Sequence, residues 1–231
     1  MALILNIESA TTMCSVALAK DALCIDSQEI DEGYSHAENL AVFVDEILKR
    51  NNLKVTDLNA IAISEGPGSY TGLRIGVSLA KGLCYGGNVK LIAVSTLQQM
   101  CMHPDVVKEL NFRKDGLLCP MLDARRMEVY TSVYDVGLKV LLEPTNLILD
   151  ETSYESFLAE EPVIFFGNGS DKFQDVTKSE SAYFVKNVTP SAIQMVGLSE
   201  LKYQASQFED VAYFEPFYLK EFQATTPKKL V

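Results

Sequence analysis

Gly66-Pro67-Gly68-Ser69-Tyr70-Thr71-Gly72-Leu73-Arg74-Ile75-Gly76 follows the short apolar run Ala60–Ser64. Together they predict a buried strand, a stiff turn, and a helix from Thr71 to about Tyr85 that Ser69 or Thr71 caps. Glycine inside a helix costs about 0.5–1 kcal/mol relative to alanine. A helix carrying several of them needs another backbone close against it. The segment therefore points to tight packing against a neighbour or partner more than to catalysis. It is not a nucleotide-binding Walker loop, because no Gly-Lys-Ser/Thr ends it.

Working outward, Leu3–Ile7 reads as a buried strand, and Cys14–Ala19 with Ala22–Ile30 as a hairpin turning at Lys20-Asp21. Ser35-His36-Ala37-Glu38 has capping-box spacing and opens an amphipathic helix to about Arg50. Leu91–Val94 is a strand, and Ser95-Thr96-Leu97-Gln98 opens a further capped helix. The order β-β-β-α-β-α-β-α predicts a mixed sheet with helices on its faces. Strands Leu117–Leu122, Glu128–Tyr134, Lys139–Leu149 and Val163–Phe166 follow, with a capping box at Thr152 and Glu155 and a helix opened by Thr189-Pro190. The expected division is a first lobe, residues 1–104, and a smaller second lobe, 105–231, hinged between about Met102 and Gly116. The polar end Thr225–Val231 is expected to fray.

The chain has 231 residues, 48% of them hydrophobic, and a formal charge of −11. That charge lacks the basic footprint of a stand-alone nucleic-acid binder. No run reaches membrane-helix length and the N-terminus lacks a signal-peptide pattern, so a cytoplasmic protein with no membrane contact is expected. Five cysteines without a CxxC pair are expected to be buried thiols.

Candidate chemistry lies in several turns. Glu8-Ser9-Ala10-Thr11-Thr12 is either a hydroxyl-rich phosphate turn or an ordinary hairpin turn. Asp123-Ala124-Arg125-Arg126 offers an aspartate for a metal–phosphate, or an Asp–Arg surface pair. Gly167-Asn168-Gly169-Ser170 would sit against a nucleotide base or simply make a tight turn. His36 and His103 are too far apart for a local zinc motif, and His36 lies on the apolar side of its helix as a hydrogen-bonded packing residue. No nucleophile–base set or catalytic carboxylate pair can be argued. The apolar arcs of the two first-lobe helices exceed the ~100° that covers a core, which leaves mutual packing or a protein–protein face open.

Leu5-Asn6-Ile7-Glu8-Ser9-Ala10, Ser35-His36-Ala37-Glu38-Asn39-Leu40, Ser64–Gly76, Asp123–Tyr130 and Gly167-Asn168-Gly169, in this order, resemble the TsaB (YeaZ) family, needed to make threonylcarbamoyladenosine in tRNA. The resemblance implies a two-lobed actin-like ATPase (ASKHA, ribonuclease H-like) α/β fold with a less regular second lobe. It implies a non-catalytic partner of TsaD, which transfers threonylcarbamoyl from the adenylate that TsaC makes. The ATPase TsaE would join that pair, and the chain alone would form a homodimer. Implied partner-binding residues are His36, Leu40, Val44, Leu48, Gly72, Arg74, Gly76 and Ala80. A vestigial nucleotide cleft would be marked by Glu8, Thr12, Asp123 and Gly167, with no catalytic residue, metal or cofactor. TsaD holds its metal with HxxxH, where this chain offers only His103. Where TsaD and its relatives carry a glycine pair after the second-lobe aspartate, this chain has Ala124 and Arg125. Thr12 stands where TsaD carries an aspartate. The alternatives are an active ATPase or small-molecule kinase of the same fold, and a protease, since the superfamily carries a glycopeptidase label.

Overall fold

A computed structural model of the chain describes residues 2–31 and 36–220. The expected cap at Ser35 and the tail Thr225–Val231 lie outside the described residues. Strands β1 (Leu3–Glu8), β2 (Cys14–Lys20) and β3 (Leu23–Ile30) form an antiparallel meander. Helix α1 (His36–Arg50) leads to β4 (Ala60–Gly66), and α2 (Tyr70–Gly87) to β5 (Lys90–Ser95). These two strands add in parallel beyond β1, giving the order β3-β2-β1-β4-β5. Strands β1, β4 and β5 are covered on both faces, which is why they read as continuous apolar runs.

Helices α3 (Thr96–Met100) and α4 (Pro104–Arg113) lead into β6 (Leu117–Asp123), β7 (Glu128–Tyr134), β8 (Val140–Ile148), α5 (Glu155–Glu160), β9 (Val163–Phe166), α6 (Ser170–Gln174), β10 (Ala182–Val185) and α7 (Ala192–Gln204). The second sheet, β10-β9-β6-β7-β8, repeats the strand order and directions of the first. This duplication is the two-lobed actin-like α/β fold. The crossover helices of the second lobe are short, six and five residues against fifteen and eighteen in the first.

Packing crosses the expected division by sequence position at both ends. The expected hinge holds α4, with Pro104 in its first turn and the His103 ring accepting the Asp105 N–H at 3.3 Å. Val106 of α4 and Leu97, Met100 and Cys101 around α3 pack into one core with Leu118, Ile164 and Phe166 of the second sheet. In return, Met195 and Leu198 of α7 join Ala2, Ile4, Ala60, Ala62, Ile92 and Val94 of the first. Each sheet is left with one apolar face by its own crossover helices, and the other half's last helix covers it. Residues 105–231 are therefore not one packing unit.

Smaller expectations also change. Thr152 does not cap α5: Tyr154 stands at its start in the left-handed region, and Thr152 bonds Asp150 instead. Helix α7 starts after Pro190, with Ser191 as its cap and Gln194 completing a capping box. Four cysteines are buried, but Cys24 is exposed.

The glycines beginning α2 find their neighbouring backbone inside the chain. A Cβ at Gly68 would stand 2.3 Å from the Ala10 carbonyl oxygen, one at Gly72 2.2 Å from that of Ser9, and one at Gly76 2.1 Å from Ser9 Oγ. Beneath this turn Glu8 is fully buried, accepting the Ala10 N–H and a hydrogen bond from Gln99 of α3. Burial pushes its carboxyl from the usual 4.5 to about 7, against the lowering pull of Ala10, Gln99 and Ser64.

Gly72→Ala should destabilise the chain by about 1–3 kcal/mol in urea unfolding, because backbone must move. Gly82→Ala on the exposed side of the same helix should stabilise it by about 0.5–1 kcal/mol. Equal effects would refute the packing argument. A carboxyl whose folded pKa is raised contributes stability that is complete below pH 4.5 and lost as pH rises through 7. Glu8→Gln should therefore flatten the pH 5–8 stability profile, gaining on the order of 3 kcal/mol over the parent at pH 8. Parallel profiles would show Glu8 to be an ordinary acid.

Candidate functional site: the interlobe cleft and the outer face of α2

The β1–β2 turn, the loop into α2 and the β6–β7 turn meet around a cleft of about 780 Å³, to which Asn168 and Phe217–Lys220 add walls. The candidate turns of the sequence thus converge, but their side chains are differently employed. Thr12 lines the cleft, half-buried. Glu8 does not reach it, sealed under the turn by Gln99. Asp123 is exposed and accepts from Lys172 Nζ at 2.7 Å and from the Arg125 N–H at 2.6 Å. The expected Asp–Arg pair is therefore an Asp–Lys pair.

Arg125 and Arg126 both have positive φ, 74° and 48°, in the tight turn between β6 and β7. Arg125 lines the cleft where a glycine pair would leave backbone bare. Gly167, at φ 95°, lies so close to β6 that a Cβ would stand 2.3 Å from the Met121 carbonyl oxygen. Asn168 accepts the Asp123 N–H at 2.9 Å. The Gly-Asn-Gly-Ser turn thus braces the end of β6. His36 is buried, its Nε2 2.6 Å from the Thr11 carbonyl, so that nitrogen carries the proton and donates. Among the described residues, no three His, Cys, Asp or Glu side chains gather to hold a metal, and no helix is long and apolar enough to cross a membrane.

Most of the expected partner-binding set packs inside the chain. His36, Leu40, Val44 and Leu48 of α1, and Gly72, Gly76 and Ala80 of α2, are all buried within the chain. The two arcs face the sheet and each other, so they complete the first-lobe core. Of that set Arg74 alone is exposed. The outward side of α2 carries a different row, Arg74, Ser78, Gly82 and Gly86, at four-residue spacing and exposed. Among the described residues, nothing lies within 4 Å of a Cβ placed at Gly82 or Gly86. Half-buried Ile75, Leu79 and Leu83 flank the row, and Tyr85 is 87% exposed. Sequence reasoning missed this row, although the same helical wheel puts Ser78 opposite the core arc, with Gly82 outside the arc and Gly86 just beyond its edge.

A family model described as "TsaD: tRNA N6-adenosine threonylcarbamoyltransferase" matches residues 33–228. The chain is 31% identical over 227 residues to the tRNA threonylcarbamoyladenosine biosynthesis protein TsaB of Escherichia coli, covering 94% of each chain. It is 28% identical to the TsaB of Haemophilus influenzae, covering 98% of this chain and 96% of that one. YeaZ from Pseudomonas aeruginosa shares the fold, with a TM-score of 0.78 at 22% identity over 95% of this chain and 100% of that one. With likeness running along nearly its whole length, on a duplicated fold of the same kind, the chain belongs to the TsaB family of tRNA threonylcarbamoyladenosine biosynthesis proteins.

Proposed function

We propose that the chain is a non-catalytic partner of TsaD in tRNA threonylcarbamoyladenosine synthesis, docking through the outer face of α2. The observation that carries this reading is the exposed glycine pair Gly82 and Gly86. Gly72 and Gly76 repay their helix cost by packing on the β1–β2 turn, whereas Gly82 and Gly86 meet nothing among the described residues. A second helix backbone lying against Ser78, Gly82 and Gly86 would repay it, with Ile75, Leu79 and Leu83 as the apolar flank. The family model shared with TsaD supports a partner of related fold. The same face would join two copies when TsaD is absent, since a surface that fits a similar fold also fits its own copy. TsaE would join the assembled pair.

The cleft supports the non-catalytic part. Its one acid at the first turn, Glu8, is sealed away, and Asp123 is engaged by Lys172. Neither is free to hold a metal–phosphate or to act as a base toward a substrate. On this reading tRNA is held by TsaD, because a chain of charge −11 repels phosphates, and the work is done in the cytoplasm.

The test is a double substitution, Gly82→Leu with Gly86→Leu. Both side chains have room, so the monomer should unfold at the same temperature or higher. Binding to TsaD, measured by calorimetry, should weaken by at least about a hundredfold, the cost of forcing two helix backbones apart. An unchanged affinity rejects this face.

A further inference from the structure

Residues after α7 do not wander off the molecule. The Glu209 N–H donates to the Leu91 carbonyl at 2.9 Å, and the Phe217 N–H to that of Glu65 at 2.7 Å. Lys81 of α2 donates to the carbonyls of Ala212 and Phe214 at 3.1 and 2.9 Å. Gly66 leaves room for this strand of chain, since a Cβ there would stand 2.6 Å from the Phe217 carbonyl oxygen. These anchors all belong to the first lobe.

Beyond them the chain crosses the cleft mouth. Tyr218 packs on Tyr70 in a tilted pair with ring centroids 4.9 Å apart. Its hydroxyl accepts from Arg74 Nε at 3.3 Å, and the Arg74 guanidinium lies 4.2 Å from the Tyr70 ring centroid. Lys220 then pairs with Glu128 of β7, in the second lobe. That last pair is weak by nature, with the lysine side chain 38% exposed. Segment 209–220 is thus held firmly on one lobe and lightly on the other.

The Tyr218 contact that precedes the light end is keyed to the docking row through Arg74. Arg74 is the next exposed residue after Ser78 at four-residue spacing, so a backbone lying along Gly86, Gly82 and Ser78 meets Arg74 next. An acceptor on that backbone would draw the guanidinium from the Tyr218 hydroxyl.

We propose that residues 209–220 form a clasp across the cleft, which docking on α2 releases through Arg74, baring Tyr70 and the β6–β7 turn. The proposal rests on the docking reading, and hydrogen–deuterium exchange of the full chain separates the two. In the chain alone, diluted until sedimentation shows it monomeric, Tyr218→Ala with Lys220→Ser should speed exchange at residues 70–74 and 122–128 about five- to tenfold, with α7 unchanged. No change there overturns the clasp. Adding TsaD should slow exchange at 78–86 and speed it at 217–220. Slowing at 78–86 with 217–220 unchanged or slower overturns the release while leaving docking intact. No slowing at 78–86 overturns docking and this proposal together.

Discussion

The approach of α2 to the β1–β2 turn is the constraint on which the rest of the molecule depends. Gly68, Gly72 and Gly76 bring the helix onto Ser9 and Ala10 at distances that leave no space for a Cβ. The contact sets where α2 begins, and so where the Ser69 cap and the first-lobe wall of the cleft stand. It also fixes which side of α2 is spent on the core and which side is left to solvent. His36 reinforces it from α1, donating to the Thr11 carbonyl of the same turn. An alanine in place of one of these glycines would shift the cleft and the outer face together, because both ride on one rigid helix.

The second organising fact is exchange between the halves. Each sheet has one face filled by its own crossover helices and one by the closing helix of the other half. The lobes are therefore interlocked by hydrophobic burial, with the Glu8–Gln99 hydrogen bond as a polar tie at the centre. A neutral acid suits that position: a full charge sealed from water would need a counter-charge, and what offsets burial at Glu8 is hydrogen bonding to Ala10, Gln99 and Ser64. The cleft that results is walled by the candidate turns, while the first-turn acid serves as internal structure.

Two kinds of glycine on one helix carry different meanings. Those at 72 and 76 are explained inside the chain, and those at 82 and 86 meet no neighbour among the described residues. Glycine is permissive but costly in a helix, which is why the proposed docking on α2 rests on the second pair. Between the exposed row and the cleft runs the segment that ends in Tyr218 and Lys220, touching both. The outer face of α2 and the cleft are thus mechanically adjacent rather than separate features.

By itself the sequence determined the elements and the family. Local periodicity, turn residues and caps marked nearly every strand and the two long helices, because those signals act within a few residues. It also marked the turns that meet in the cleft, through their glycines, hydroxyls and aspartate. Helix α4 escaped, since its polar run around Pro104 has only Val106 to bury deeply. Tertiary structure alone decided which apolar residues were already used. Leu40, Val44, Gly76 and Ala80 look available for a partner on a helical wheel, yet the sheet and the neighbouring helix consume them. It decided too that α7 would leave its own lobe, and that Glu8 would sit beneath the cleft rather than in it. Periodicity records which side of a helix is apolar, but only the positions of distant strands fix what that side touches.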